Sequence, residues 1–164
     1  MQVLLFQLGN DRYGIDTRHV VRVLPLLECK TVPHAPPWVA GLMNLRGEAV
    51  PVIDLRRLAR SGQGGQDEHG ERHDPGEPRF DTRIVLVRHV ARDGRSRPLG
   101  LIVEHAREVI RLDPSGFAAS AIDTPQAPYL GEVTTANGAI LQLVDVDRLL
   151  GDEAAALLYP ESAA

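Results

Sequence analysis

Only one cysteine, Cys29, occurs in the chain, so no internal disulfide can hold the fold and a reducing cytoplasm suits it best. Aromatic residues are scarce at 4%, and acidic side chains outnumber basic ones, leaving a formal net charge of -4 at pH 7. A nucleic-acid binder usually carries the opposite signature, a net-basic surface interleaved with aromatics. Long apolar runs are missing as well. The opening stretch "MQVLLFQLGNDRYGID" breaks at Gly9-Asn10-Asp11, too early to cross a bilayer, and it has neither a basic leader nor a small-residue cleavage signature. The sequence therefore reads as soluble and cytoplasmic. With 43% hydrophobic residues among 164, it can still bury one core, or two small halves that share one.

Catalytic patterns are equally thin. "HGERH" sets His69 and His73 four apart, but glycine follows the first histidine where a zinc protease needs its glutamate, and the Gly and Pro neighbours oppose a helix. "SGQGG" does not follow a strand or open a helix, as a phosphate cradle must. Cys29 stands between Glu28 and Lys30 with no motif around it, and no Gly-x-Ser-x-Gly elbow exists. His19, His34, His89 and His105 are scattered, and Asp145 and Asp147 read as helix-start residues. The expectation is a protein that is not an enzyme, with no catalytic residue, no cofactor and no metal.

What the chain has in plenty is short runs rich in Val, Ile and Leu, bounded by Gly, Pro, Asn and Asp. "QVLLFQL", "RYGID", "VVRVLPL", "AVPVIDL", "TRIVLVRHV", "PLGLIVE", "REVIRL" and "AILQLVDV" predict strands, and their frequent turns argue for small barrels or a sandwich. Two segments read as helical, "DLRRLAR" and the tail from Asp145 to Leu158, each opened by an acidic residue.

The second half replays the first at a spacing of about ninety residues, too long for a solenoid, which points to two copies of one small unit. Gly14 matches Gly100, Val23 matches Val109 and Leu26 matches Leu112; further on, Gly47 meets Gly138, Asp54 meets Asp145 and Arg57 meets Arg148. The repeat supplies a control for one turn. The second copy reverses with Asn137-Gly138, a strong hairpin signal. The first uses Leu45-Arg46-Gly47, in which Gly47 can supply the left-handed residue of a bulged turn. Leu45 and Arg46 add nothing the backbone needs, and an apolar residue beside an arginine is what a protein-binding anchor looks like.

Between the copies, residues 61–82 are polar and rich in glycine and charge, a composition expected of a flexible loop. A proline-stiffened segment delivers Trp38, which reads as the lid of a small core. The expected division is subdomain 1 at about 1–60, the loop at 61–82, subdomain 2 at about 83–151 and a C-terminal helix over 145–158.

At "YGID", "VPHAPPWVAGLMNLRGEAVPVIDLRR", "GLIVEHAREVIRL" and "YLGEV…ILQLVDVDRLL", the chain resembles the CheW family of bacterial chemosensory coupling proteins. The resemblance implies a mainly β fold of two SH3-like five-stranded barrels with short helices after each. It implies a non-enzymatic scaffold between the cytoplasmic tip of methyl-accepting chemoreceptors and the regulatory domain of a CheA-type histidine kinase, reaching the membrane only through receptors. Carried over by position, Val20, Gly41 and Arg46 fall on the receptor-binding groove, joined by Arg22 and Leu45. Arg22 departs from the family, which commonly has an acid there, and alternation along a strand would set it on the same face as Val20. With the tail "GDEAAALLYPE", that departure points to the Wsp-type surface-sensing subfamily, whose kinase drives cyclic-di-GMP synthesis. The competing reading is a stand-alone small β-barrel that binds a nucleic acid or small ligand, with Arg46, Arg56 and Arg57 as its basic edge.

Overall fold

The computed structural model describes residues 1–61, 80–90, 93–119 and 127–159. Most of the 61–82 segment, with His69 and His73, lies outside them. In chain order the strands are β1 (Gln2–Leu8), β2 (Asp11–Asp16), β3 (Val20–Pro25), β4 (Val39–Leu45), β5 (Glu48–Asp54), β6 (Thr82–Val90), β7 (Ser96–Arg111), β8 (Leu130–Ala136) and β9 (Ala139–Val144). Helix α1 (Leu55–Ser61) follows β5, and α2 (Asp152–Leu158) closes the described chain.

All nine strands join one sheet, ordered β3-β6-β7-β1-β2-β9-β8, with β5 pairing both β4 and β7. The central strand β7 is 16 residues long. The runs expected as two strands, "PLGLIVE" and "REVIRL", are one. Its first part pairs with β6 and β5, and its last part with β1. Between them His105 takes a left-handed φ of 55°, and from Leu5 to Gln7 on β1 the partner moves from Glu108 to Glu104, a bulge that turns β7 from one barrel into the other. Asp81 holds the bend: its carbonyl accepts from the His105 amide at 3.1 Å, and its carboxylate faces His105 Nδ1 at 3.0 Å and pairs with Arg107.

The barrels do not follow the two halves of the chain. One consists of β3, β4 and β5 with β6 and the start of β7; the other of β1 and β2 with the end of β7, β8 and β9. Each copy thus lends its first hairpin to the other copy's barrel, so the division at 1–60 and 83–151 cuts across both. The equivalences read from the repeat survive the exchange. Gly100 opposes Val52 in the first barrel as Gly14 opposes Leu143 in the second, and Val23 opposes Val85 as Val109 opposes Leu4.

Strand burial explains why several runs lack the two-residue alternation of a half-exposed strand. In β1, Val3 and Leu5 enter the second barrel's core, while Leu4, Phe6 and Leu8 enter a central core between the barrels. In β6, Ile84 and Leu86 enter the first barrel, and Val85 and Val87 the central core. Successive side chains of a strand point to opposite faces, so a strand buried on both must be apolar throughout. The matched glycines share a reason too. A Cβ on Gly14 would run into Val3, and one on Gly100 would stand 3.1 Å from both Ile84 and Val52.

The tail departs from the expected helix over 145–158. Asp145 caps a short 3-10 turn, Val146–Arg148, by accepting from the Asp147 amide, and α2 begins only after Gly151, which is extended at φ -69° and ψ 170°. Helix α2 then carries Tyr159 back onto the first barrel. The Tyr159 hydroxyl donates to the Pro98 carbonyl at 2.8 Å, its ring stacks on buried His89, and the Arg97 guanidinium lies 5.4 Å from the ring centroid. Burial pushes the Tyr159 hydroxyl well above the ordinary tyrosine value, with Arg97 pulling it partly back.

Candidate partner-binding surface

The β4–β5 turn is tighter than the bulged form expected of it. Arg46 and Gly47 both have positive φ, 52° and 85°, as both central residues of a type I′ turn must. In the second copy Asn137 and Gly138 have 52° and 76°. The two turns are therefore one backbone with different side chains. Asn tolerates this conformation, whereas a residue such as arginine gives up about 1 kcal/mol to hold it. Asn44 supports the turn by accepting from the Gly47 amide at 2.8 Å. Arg46 itself is exposed. Leu45 behaves differently: it is half-buried and packs on the first barrel's core of Met43, Val50, Val52 and Ile84, so local packing accounts for it.

Gly41 is buried at φ 134°, and a Cβ there would strike the Lys30 carbonyl. The reason is closure of the barrel: Lys30 and Leu42 exchange backbone hydrogen bonds of 2.7 and 2.9 Å, drawing that segment across the glycine. Val20, half-buried, packs on the central core at the start of β3. The ladders set Val20 and Gly41 close to one level. Val20 opposes Val87, which opposes Leu99; Gly41 opposes Val52, which opposes Gly100. Arg22 is exposed, but the register slips between it and Val20, so that Val20 opposes Val87 and Arg22 opposes Leu86. Neighbours on β6 point to opposite faces, and the expected sharing of one face by Val20 and Arg22 does not hold.

The structure brings out two features. Val21 and Val23 on β3 and Leu26 just beyond it are 45%, 40% and 37% exposed, apolar side chains at the surface beside a strand that pairs only with β6 among the described strands; the signal was the run "VVRVLPL". Arg56 is the second. Its guanidinium, 8% exposed, donates to both oxygens of Asp54 at 3.0 and 2.8 Å and reaches Glu104 at 3.5 Å. Burial works to lower its pKa, but the bonds and charges of Asp54 and Glu104 more than offset that and raise it. The basic edge imagined for a ligand-binding barrel thereby loses Arg56. Arg57, 38% exposed, lies 3.8 Å from Asp54.

The remaining candidates carry no reactive geometry. Cys29 is half-buried with Sγ 3.6 Å from the Leu27 carbonyl, and burial pushes its thiol up, away from the thiolate a nucleophile needs. Asp145 and Asp147 accept backbone amides, Asp147 that of Val90 at 2.9 Å. Trp38 packs on the central core, its carbonyl accepting from the Asp54 amide. Among the described residues no three His, Cys, Asp or Glu side chains group to hold a metal ion, and no helix is long and apolar enough to cross a membrane.

A family model described as "CheW-like domain" matches residues 2–154. The chemotaxis protein CheW of Klebsiella aerogenes is 29% identical over 160 residues, covering 96% of this chain and 86% of that protein. CheW of Bacillus subtilis is 23% identical over 164 residues, covering 99% and 94%. In fold, the chain resembles the crystal structure of the scaffolding protein CheW from Thermoanaerobacter tengcongensis, with a TM-score of 0.72 and 23% identity over 93% of this chain and 89% of that one.

Proposed function

The chain belongs to the CheW-like domain family, and from that premise we propose that it is a non-enzymatic chemotaxis-type adaptor joining the cytoplasmic tip of a methyl-accepting chemoreceptor to the regulatory domain of a CheA-type histidine kinase. It works in the cytoplasm and meets the membrane only through the receptor. The receptor-facing residues are Val20, Arg22, Gly41, Leu45 and Arg46, of which Gly41 and Leu45 act by shaping the surface. One observation carries the reading: Arg46 occupies a left-handed position that the same backbone fills with Asn137 in the other copy. A residue kept there against its own conformational preference, with its charge in solvent, is kept for a partner.

The substitution Arg46→Asn tests this directly, because it makes the two turns alike. The variant is expected to unfold at the parent's midpoint or slightly above it, and to lose most of its receptor-dependent activation of the kinase in a reconstituted array. Full coupling by a normally folded variant would end the proposal. Arg22 belongs to the choice of receptor. It supports a Wsp-type surface-sensing pathway controlling cyclic-di-GMP, in which the receptor tip faces Arg22 with an acid. Titrating parent and Arg22→Glu against the cognate and a motility receptor tip checks it; the exchange should weaken the first and strengthen the second, more so at low salt.

A further inference from the structure

We infer that the N-terminal hairpin, residues 1–16, is an exchangeable arm that completes the second barrel of another copy of this chain. The inference is independent of the adaptor reading. Every ladder bond that β1 and β2 make, apart from those within their own hairpin, goes to β7 or β9 in the second half of the chain. The terminal residue belongs to the same arm: Met1 and Leu112 exchange backbone bonds of 2.8 and 3.1 Å. The arm leaves for β3 through the 3-10 turn Thr17–His19, which has no buried residue. Its polar contacts are local, Arg18 with Asp16 at 2.7 to 3.0 Å, and would survive if the arm docked elsewhere.

The molecule already displays both forms of this hinge. By the repeat, His19 corresponds to His105, and there the chain passes from one barrel to the other as continuous strand within β7. A compact turn and an extended passage thus serve the same crossing in the two copies. An element held by a short hinge, with all its strand partners outside its own hairpin in a separate part of the chain, is the arrangement in which identical copies trade elements at little cost, since the exchanged contacts are those of the monomer.

Gln2 and Arg111 report which chain supplies the arm. They oppose one another on β1 and β7 and both are exposed. Since Met1 and Leu112 beside them form a bonded pair, Gln2 and Arg111 are a non-bonded pair, whose closer spacing suits a disulfide. In full chains with Cys29→Ser, one carrying Gln2→Cys and the other Arg111→Cys, co-refolding from denaturant at high concentration under mild oxidation should give a covalent heterodimer on a non-reducing gel. The same chains folded separately and then mixed should give little. A chain with both cysteines should close internally on dilute refolding, and deleting Thr17–His19 should shift a folded protein to dimer mass on gel filtration. Equal heterodimer whether chains are mixed before or after folding, or a folded deletion variant of monomer mass, would overturn the inference.

Discussion

The two copies within this chain share a strand plan but not every side chain or connection. Their turns both take two successive positive φ values, their matched glycines sit under aliphatic side chains, and their first hairpins cross to the opposite barrel in the same register. They differ in backbone at the crossing between barrels, a 3-10 turn in one and continuous strand in the other, and elsewhere in side chains: Arg46 against Asn137, and Arg56 buried between two carboxylates against Asp147 at the surface. Positions that agree in both copies are those the fold needs. Positions that disagree are free to serve a partner or to fix the barrels against one another.

That comparison can be strained at its largest difference first. Arg56→Met would leave Asp54 and Glu104 buried without their cation, a loss of about 4 kcal/mol by the usual cost of breaking a buried pair, whereas Asp147→Ala should cost about 1 kcal/mol for the hydrogen bond from Val90. Chemical denaturation of both variants would measure the gap, and equal losses would remove the asymmetry. The glycines test the agreement. Gly14→Ala is expected to cost about 3 kcal/mol and Gly100→Ala about 1, within the range for overpacking, because the new methyl would meet Val3 head-on in one case and only press on its neighbours in the other.

The tail offers a pH-dependent test, since only the second copy is followed by a described helix that carries a tyrosine back onto the first barrel. The Tyr159 hydroxyl titrates higher in the folded protein than in the unfolded one, so its contribution is complete below about pH 10 and is lost above it, at about 1.4 kcal/mol per pH unit until the folded group also ionises. Tyr159→Phe should therefore show a shallower decline in stability between about pH 10 and 11 than the parent. Parallel curves would mean that the ring, not the hydroxyl, holds the tail. The second turn gives the complementary test: Asn137→Arg, the reverse of the adaptor test, should cost about 1 kcal/mol and leave receptor coupling unchanged.

The strands and the repeat were legible because they are written in local chemistry, apolar runs closed by turn residues. The exchange of hairpins was not. Gly100 lies beside Val52 and Gly14 beside Leu143; hairpins kept in their own copies would set Gly14 beside Val52 and Gly100 beside Leu143, an apolar residue against a glycine either way, so the residue pattern suits both topologies. Arg46 could be singled out since the repeat provided its control. Gly41 and Val20 came only from the family resemblance, and the slip beside Val20 on β3 carries no mark in "VVRVLPL". Arg56 read as a surface arginine at a helix start; its burial depends on Glu104, 48 residues away, which no local pattern reveals.

Strand β7 has a mechanical consequence for the way the two barrels move. Its 16 residues amount to about 50 Å of extended chain, and it serves as a stave in both barrels at once. A push on the first barrel, at the tip that bears Arg46, reaches the second through peptide bonds and interlocked ladders instead of through a pliant tether. Two barrels braced in this way have little slack between them, so a small displacement of one is handed on to the other as a tilt of the whole body.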